Sequence, residues 1–484
     1  VRQKRKFLPE LFRWSGMVYL PEGGVRVEAV VERWLKQRGE KIGVSATAFL
    51  EWCESIFYRC LEWVKEHVSL GSDLGVEVSV MGLVRNVLSH VEEAINNGLR
   101  KETFLLAVVR GLGGCISNFN LSAQLYRFAF ECAKEVLPDE ADPQNCTWSD
   151  ELGRLIRYRA VSDAVPRWSS SIPLVKTPQV MKMLDLFQPH LRSGRHFILA
   201  GLEGSGKRLL VRHALAEIAN EIKIRGAGLQ CSGQTAALDV SVKLRSLCLI
   251  GAGPRGRTYR PKEGQRVVLQ IEDVNLPKPD RYDTTQLVAS LQEMVSYAGF
   301  HDEDLEWVAL ENIQFISTMA PSTALGRHTI SKRFTSGVCQ AWVASPSRED
   351  LSSIYSQLIR SVTERDEMVS LTEAMVGVYE QVVQNFGPER YAHYVFNPRD
   401  ISDWMQQLLK YDLKGRDVTT MLGAWGDRLV GPKHRAKLDM ILREAAEDRL
   451  GGFLSSVGGD RLPDSRDGPK WSTLVDKTVE GKVQ

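Results

Sequence analysis

The stretch His196-Phe-Ile-Leu-Ala-Gly-Leu-Glu-Gly-Ser-Gly-Lys207 decides the fold of this chain. Its apolar beginning predicts a short buried strand, and a helical pattern over 209–222 follows its end. Between them, Gly201, Gly204 and Gly206 let the backbone turn so that N–H groups converge on phosphate oxygens, and the helix N-terminus adds positive charge. The order of strand, loop and helix therefore predicts a nucleotide phosphate site; the alternative is a glycine-rich turn without a ligand.

Two further apolar runs, 266–271 and 313–317, have the length and aliphatic composition of buried parallel strands. Because helical patterns lie between these runs, we expect an α/β fold with a parallel sheet over about 174–345. On either side, apolar residues recur every three or four positions, which predicts helical domains over about 26–137 and 347–454. The connector 138–173 is rich in Asp, Pro and Ser, and we expect at most one short helix in it.

Composition excludes several classes of protein. The 484 residues suggest about three compact units, and 43% hydrophobic residues exclude wholesale disorder. With 62 Lys+Arg against 60 Asp+Glu, the net charge of +2 argues against a nucleic-acid binder. We find no apolar run long enough for a membrane span and no signal segment. The 8 cysteines are dispersed without metal-ligand spacing, and the start at Val1 suggests a piece of a larger chain.

Metal and catalytic candidates surround the loop. Arg208 stands where a phosphate loop usually has the Ser or Thr that ligates Mg²⁺, so we expect Mg²⁺ binding to be weakened. Glu272 and Asp273 follow the second strand: Glu272 could hold Mg²⁺ through water, and Asp273 could orient the attacking water. The usual order of these two carboxylates is reversed here. Without the loop, a solvated acidic pair at a strand end would explain them equally well.

Two arginines are candidates for contact with phosphate. Arg333 lies in the basic segment 325–334 and could act as an arginine finger on a neighbouring module. Arg399 follows Phe396-Asn-Pro ahead of a helix and could face a phosphate group. Each is, on its own, equally typical of a surface charge.

Several motifs, taken in order, resemble the third AAA+ module of a dynein heavy chain. The likeness covers residues 16 to about 480, and 299–313 looks most like the intraflagellar-transport class of dyneins. The motifs that carry it are Cys231-Ser-Gly-Gln-Thr235, Gly256-Arg-Thr-Tyr-Arg-Pro-Lys262, Glu272-Asp-Val-Asn-Leu-Pro277, Leu325-Gly-Arg-His328, and the segment from Gln384-Asn-Phe386 through Tyr411-Asp-Leu413.

The resemblance implies a domain organisation with a P-loop AAA+ three-layer core flanked by all-α lid subdomains. Residues 16–137 would be the helical lid of the preceding module and 138–173 a linker. Residues 174–345 would be the large α/β nucleotide-binding subdomain, 346–455 its own lid, and 456–484 a tail toward the next module. Residues 1–15 do not match the family, since Arg13-Trp14 replaces the expected Ser-Arg pair.

The resemblance also implies roles for single residues. The loop from Val175 to Pro178 would hold adenine, and the phosphates would lie on the loop that contains Ser205, with Lys207 reaching the β- and γ-phosphates. Glu272 and Asp273 would take the two acidic positions. Arg333 would serve the preceding module's site, and Arg399 would sense the γ-phosphate. Ala320 stands where the family often has a polar sensor, which, like Arg208, weakens hydrolysis more than binding.

On this resemblance, we expect a regulatory module that binds ATP or ADP with slow or no hydrolysis, in a minus-end-directed microtubule motor of retrograde intraflagellar transport. The alternatives are an active ATPase with Mg²⁺ held by water and Glu272, and a structural ring segment without nucleotide. Implied partners are neighbouring AAA+ modules, intermediate and light intermediate chains, intraflagellar transport complexes, and the microtubule through regions absent from these 484 residues. The implied location is the cytoplasm, cytoskeleton and cilium.

Overall fold

The computed structural model describes residues 24–160, 172–253, 256–361, 366–387, 391, 393–410 and 428–445. The segments 1–15 and 456–484 and the motif Tyr411-Asp-Leu413 lie outside the described residues. The described chain forms an N-terminal helical domain, a central α/β core and a C-terminal helical domain. No helix among these described residues is long and apolar enough to cross a membrane.

The N-terminal helical domain follows the apolar periodicity of its sequence. The predicted apolar stripe is Phe49, Trp52, Ile56, Cys60 and Val64; four of these residues are buried in one core, and Trp52 is partly buried and packs against it. A π-helical turn, Cys53–Phe57, joins two of the helices. The helices are α1 (Val27–Arg38), α2 (Ala46–Trp52), α3 (Tyr58–His67), α4 (Val80–Asn96), α5 (Lys101–Gly113) and α6 (Phe119–Ala133).

The connector after α6 contains two short strands that the sequence did not predict. Its described part contains an antiparallel hairpin, β1 (Thr147–Ser149) and β2 (Arg154–Ile156). Tyr158 follows the hairpin, and its hydroxyl donates to Asp185 at 2.6 Å. Arg110 binds the same carboxylate at 2.9 Å. The connector is therefore held to the core by a small polar cluster, which a composition rich in Asp and Pro does not indicate.

The α/β core contains a five-stranded parallel sheet, whose strands lie side by side in the order Cys339–Trp342, Phe197–Ala200, Ile313–Met319, Arg266–Glu272 and Ile224–Gln230. The predicted runs 196–200, 266–271 and 313–317 form the three central strands, which confirms the α/β fold. The core elements are α7 (Pro178–Ser193), β3 (Phe197–Ala200), α8 (Lys207–Ile218), β4 (Ile224–Gln230), α9 (Ala237–Leu247), β5 (Cys248–Gly253), β6 (Gly256–Pro261), β7 (Arg266–Glu272), α10 (Gln286–Tyr297), β8 (Gly299–His301), β9 (Trp307–Leu310), β10 (Ile313–Met319), α11 (Lys332–Thr335) and β11 (Cys339–Trp342).

The parallel sheet lies between two layers of helices. On one face, α7 and α8 bury residues such as Phe187 and Val211 against the sheet. On the other face, α9 and α10 bury residues such as Leu244 and Leu291. Because both faces are covered, alternate residues of the central strands point into two separate apolar cores, which explains their continuous apolar runs.

A second sheet of four strands, in the order β5-β6-β9-β8, extends the core. Strands β5 and β6 follow α9 in the chain, and β8 and β9 follow α10. The sequence did not predict these four strands. Tyr259 and Phe300 pack edge to face within it at a centroid distance of 6.0 Å. Leu249 and Ile250 on the outer strand are each 54% exposed. This sheet lacks the buried apolar runs that revealed the central sheet.

The N-terminal helical domain packs against the core through α4, a surface that we call the N-terminal contact. Buried Asn86 donates to the carbonyl oxygens of Gly111 at 2.9 Å and Gln340 at 3.0 Å. Ser89 and His190 Nδ1 are hydrogen-bonded at 2.8 Å. A side chain at Gly75 would overlap the ring of Trp342. The contact is therefore closely packed, and Asn86 and Ser89 join the two domains through buried hydrogen bonds.

Strand β11 lies between the N-terminal helical domain and the rest of the sheet. The Trp342 N–H donates to the Gly114 carbonyl at 2.7 Å, and the next residue, Val343, donates to Ala200 at 2.7 Å. A Cβ atom at Gly201 would overlap the Val343 carbonyl oxygen. Two consecutive residues thus contact the N-terminal helical domain and the start of the phosphate loop.

The C-terminal helical domain has its own core, which includes Leu358, Val376 and Met405. Val175, from the segment ahead of α7, is buried in this core rather than in the sheet layers. Its helices are α12 (Arg348–Arg360), α13 (Asp366–Phe386), α14 (Pro398–Lys410) and α15 (Pro432–Ala445).

Candidate nucleotide-binding site

The candidate site lies at the carboxyl ends of the three central strands. Ala200 of β3 pairs with Met319 of β10, and Ile271 of β7 pairs with Ser317 of the same strand. The loop 201–207, the acidic pair after β7 and the end of β10 therefore meet at one edge of the sheet. Ligands bind at this edge in open parallel sheets.

The phosphate loop, residues 201–207, has the conformation that its glycines predict. Gly204 and Gly206 have φ values of 78° and 82°, in the left-handed region. The Lys207 ammonium folds back over the loop and donates to the carbonyls of Gly201 at 2.7 Å and Leu202 at 2.8 Å. Burial lowers the pKa of Lys207 to about 8. The lysine thus lies over the loop, where the negative charge of a polyphosphate would raise its pKa again.

Arg208 pairs with one of the two predicted carboxylates. Its Nε atom lies 3.1 Å from Glu272 Oε1; the arginine side chain is 74% exposed and the glutamate 12%. Burial raises the pKa of Glu272, and the nearby Arg208 opposes this rise. Gln270 also donates to Oε1 at 3.2 Å. The residue that replaces the usual Mg²⁺ ligand is therefore bonded to the other expected Mg²⁺ ligand.

Asp273 has a different arginine partner, Arg327. Arg327 Nη1 lies 3.2 Å from Asp273 Oδ1, and Nη2 lies 3.0 Å from Glu203 Oε1. The Arg327 side chain is only 11% exposed. Asp273 itself has a φ of 58°, and Gln230 donates to its second oxygen at 3.4 Å. This carboxylate is thus held from two sides.

Arg327 was missed as a site residue. It belongs to the motif Leu325-Gly-Arg-His328, on which the resemblance partly depends, but a basic loop gives no local signal of burial. Gln230 and Thr318 were missed because each enters the cavity only through the tertiary fold, and Glu203, within the loop 201–207, was not predicted to pair with Arg327. Thr318 Oγ1 accepts from the Asp273 N–H at 3.4 Å.

A cavity of about 680 Å³ separates the core from the C-terminal helical domain. The predicted residues that line it are Val175, Gly204, Ser205, Gly206, Lys207, Arg208, Glu272, Asp273 and Arg399, together with Ala320. Gly201 borders the site through its carbonyl bond to Lys207. Pro178 does not line the cavity, although its neighbours Thr177 and Gln179 do.

The C-terminal helical domain reaches the cavity through the start of α14. A Cβ atom at Gly204 would lie 2.8 Å from Pro398 Cδ and 2.9 Å from Asn397 Cβ. The Arg399 N–H donates to Asn397 Oδ1 at 3.0 Å, so this turn is fixed. Tyr355 donates to the Pro398 carbonyl at 2.7 Å and anchors the turn to α12. The arrangement places Arg399 on the wall opposite the core.

Arg333 does not line this cavity. It is exposed on the short helix α11, and other residues of this helix contact the N-terminal helical domain. Lys332 pairs with Glu77 at 3.7 Å, and Thr335 Oγ1 donates to the Glu77 carbonyl at 2.7 Å. Arg333 therefore lies beside the N-terminal helical domain and away from the phosphate loop.

The residues around the loop do not fit a directly coordinated Mg²⁺ ion. Mg²⁺ prefers an octahedral set of oxygen ligands, and here both carboxylates are engaged by arginines. Arg208 supplies a guanidinium where the hydroxyl ligand would be. In the described part of the chain, no group of three or more His, Cys, Asp or Glu residues is arranged to hold a metal ion.

Comparison with known proteins identifies the modules. Residues 166–346 match the family model of the P-loop containing dynein motor region. Residues 351–432 match the dynein heavy chain ATPase lid domain, and residues 26–136 match the AAA+ ATPase domain of cytoplasmic dynein 2 heavy chain 1. The N-terminal helical domain, the α/β core and the C-terminal helical domain thus each match a dynein model.

Whole-chain relatives agree. The chain is 32% identical to cytoplasmic dynein 2 heavy chain 1 of Tripneustes gratilla over 93% of its length. It is 35% identical to that of Rattus norvegicus and 32% identical to that of Homo sapiens, over 92% and 90% of its length. These matches cover 10–11% of the relatives, so the chain spans about a tenth of their length.

Among solved structures, the chain resembles the Thermotoga maritima RuvB Holliday junction branch migration motor. The TM-score is 0.26 and the identity 14%, over 43% of this chain and 63% of that one, and a score this low supports no inference. The sequence relatives and the three models decide the identity. This chain belongs to the dynein heavy chain family, and over about nine-tenths of its length it is similar to the heavy chain 1 of cytoplasmic dynein 2.

Proposed function

We propose that this chain supplies a regulatory ATP- or ADP-binding AAA+ module to a cytoplasmic dynein 2 heavy chain, and that this module hydrolyses ATP slowly or not at all. One observation carries the proposal. Arg208 takes the place of the Mg²⁺-binding hydroxyl and is bonded to Glu272, the carboxylate that would otherwise hold the metal. Phosphate binding and hydrolysis are thereby separated.

Nucleotide binding is supported by the phosphate loop. Its backbone turns through Gly204 and Gly206 into the first turn of α8, where N–H groups and the helix dipole favour an anion. Lys207 would exchange its carbonyl bonds for phosphate oxygens. Val175 and Thr177 lie on the wall where the adenine would enter, and Arg399 faces the loop from the other domain.

Slow hydrolysis is supported by the state of the acidic pair. A carboxylate that activates water must have an oxygen available to accept a proton or a hydrogen bond. Glu272 is bonded to Arg208, and Asp273 is bonded to Arg327 and Gln230. Each carboxylate therefore already has a cationic partner that competes with water for its oxygens. The buried methyl group of Ala320 adds no polar contact.

We assign the domains of the proposed module as follows. Residues 16–137 act as the lid of the preceding module, 138–173 as a linker, 174–345 as the nucleotide-binding subdomain, 346–455 as its lid and 456–484 as a tail. Arg333, beside the N-terminal helical domain, serves the preceding module's site. The matches to separate lid and motor models support this assignment.

The role of the whole heavy chain follows from the same proposal. It is a minus-end-directed microtubule motor of retrograde intraflagellar transport, which works in the cytoplasm, cytoskeleton and cilium. Neighbouring AAA+ modules, intermediate and light intermediate chains and transport complexes are its partners. Microtubule contact resides in parts of the heavy chain outside these 484 residues. Similarity to cytoplasmic dynein 2 heavy chains supports this role.

Steady-state turnover tests the module's chemistry. We expect the purified chain to bind fluorescent ADP and to release phosphate far more slowly than about 1 per second, a rate at the low end for enzymes. Lys207→Ala should abolish binding. Lys36→Ala, on α1, is the matched control and should leave binding intact. Turnover at or above that rate, lost in Lys207→Ala, would establish the active ATPase instead. If fluorescent ADP did not bind at about millimolar concentration, the module would be structural only.

A further inference from the structure

The side chains around the phosphate loop carry more positive than negative charge without a metal ion. Each of three carboxylates that line the cavity already contacts an arginine. The cationic side chains outnumber them, so the protein alone leaves a positive surplus for a polyanion. The three paired carboxylates are Glu203, Glu272 and Asp273; with Asp350 the cavity has four carboxylates, against five cationic side chains, Lys207, Arg208, Arg212, Arg327 and Arg399.

The two arginines that pair with Glu272 and Asp273 differ in exposure and in the number of carboxylates they contact. Arg327 is 11% exposed and bridges Glu203 and Asp273, so its position is fixed by two carboxylates. Arg208 is 74% exposed and bonds only Glu272, through one nitrogen at 3.1 Å. An exposed ion pair of this kind is weak, and its arginine can turn to another acceptor at little cost. A phosphate offers a bidentate acceptor with more charge than one carboxylate.

Building on the nucleotide site proposed above, we propose that this cavity binds nucleoside di- and triphosphates without a divalent cation. Arg208 supplies positive charge where Mg²⁺ would otherwise lie. On binding, the terminal guanidinium nitrogens of Arg208 contact the phosphates while its Nε stays beside Glu272, and Arg327 continues to hold Asp273. The occupied site then contains a polyphosphate compensated by protein cations alone.

A direct test is to titrate the purified chain with a fluorescent ATP in excess Mg²⁺ and in excess EDTA. We expect the two dissociation constants to agree within about twofold, because the binding charges belong to the protein. A tenfold or greater loss of affinity in EDTA, about the effect of one lost charged contact, would overturn the proposal.

Substitution of Arg208 tests whether this residue supplies the positive charge that replaces Mg²⁺. In EDTA, Arg208→Ser should bind fluorescent ATP about tenfold more weakly than the unaltered chain, and Mg²⁺ should restore part of that affinity through the new hydroxyl. Arg260→Ser is the matched control, since Arg260 also pairs with a glutamate, Glu311, at the surface but outside the cavity. If Arg208→Ser bound like the unaltered chain in both buffers, Arg208 would have no such role.

Substitution of Glu272 separates the two models by the sign of the effect. If Glu272 held Mg²⁺, Glu272→Gln would weaken binding in Mg²⁺. If it competes with phosphate for Arg208, Glu272→Gln should bind fluorescent ATP about two- to fivefold more tightly in both buffers. Weaker binding of this variant in Mg²⁺ would therefore overturn the proposal.

Failure of the nucleotide site itself has a distinct signature. If the unaltered chain bound fluorescent ATP in neither buffer, the proposed nucleotide function would fail, and this inference with it. Strong binding that EDTA abolishes would leave the nucleotide function intact and reject only the metal-free mode. Because Arg208 is largely exposed, its substitution should leave the thermal unfolding midpoint unchanged.

Discussion

The α/β core contacts one helical domain on each side, and the two contacts are built differently. The N-terminal contact is closely packed, with Asn86 bonded to backbone on both sides and Ser89 bonded to His190. The contact with the C-terminal helical domain surrounds a cavity of about 680 Å³ lined by charged groups. A packed contact fixes two domains by their own atoms, whereas a charged cavity leaves part of the contact for a ligand to complete.

The largest effect should come from breaking the packed contact. Asn86→Leu keeps the volume but leaves the Gly111 and Gln340 carbonyls without their donor. We expect the free energy of unfolding to fall by about 3 kcal/mol, since each buried unpaired group costs about 1–3 kcal/mol. Urea unfolding followed by tryptophan fluorescence measures this loss. Asn385→Leu, whose amide bonds only its own helix, is the control and should change little; equal losses would contradict the comparison.

A smaller effect should follow from wedging the cavity side open. Gly204→Ala places a methyl group 2.8 Å from the Pro398 ring, at a φ of 78° that alanine adopts with strain. We expect nucleotide affinity to fall about 30-fold, or about 2 kcal/mol, measured by titration with fluorescent ADP. Gly233→Ala, where nothing lies within 4 Å, should bind normally. Normal binding by Gly204→Ala would mean that closure against α14 is not required.

Raising the pH should weaken only the cavity side. The pKa of Lys207 is lowered to about 8 by burial, so the empty site loses its ammonium charge above that pH. Bound phosphates favour the charged form and raise this pKa, so binding takes up a proton and affinity falls as pH rises. Between about pH 7.5 and 9 we expect about a tenfold loss of fluorescent ADP affinity. Lys207→Arg should bind independently of pH; a flat profile in the unaltered chain would contradict the assignment.

The smallest effect concerns the far wall of the cavity. Arg399→Ala should lower affinity for fluorescent ATP about fivefold and leave that for fluorescent ADP within about twofold, if Arg399 contacts the γ-phosphate. Arg348→Ala is the control, because Arg348 pairs with Glu380 in the same domain and does not line the cavity. Equal losses for both nucleotides would place Arg399 elsewhere along the phosphate chain.

The centre of the fold could be predicted from sequence because burial on both faces leaves an unmistakable pattern. The strands β3, β7 and β10 are rich in aliphatic residues and are buried almost throughout. The edge strand β4 has four exposed residues and two glycines, and β11 has the polar Gln340 among its four residues, so neither has such a pattern. The second sheet and the hairpin after α6 were missed for the same reason. Short, partly exposed strands depend on their neighbours rather than on their own composition.

Site residues that belong to a local sequence feature could be predicted, whereas pairs of residues that only the fold brings together could not. Lys207 and Glu272 were found because the loop and the strand end are local features. Arg327 was not, because its pairing with Asp273 joins residues more than fifty positions apart. Likewise, the sequence shows that Arg208 replaces a hydroxyl, but only the fold reveals that it bonds Glu272.

Strand β11 imposes two unequal constraints on how this sequence can vary. On its N-terminal side, Gly75 is limited by the Trp342 ring, so a larger residue at 75 could be accommodated by a smaller one at 342. Val343 follows Trp342, and its backbone carbonyl oxygen limits Gly201. No change of side chain can remove this oxygen. Residues 75 and 342 can therefore change together during evolution. Gly201 has no compensating partner and should tolerate no replacement as long as the strand is kept.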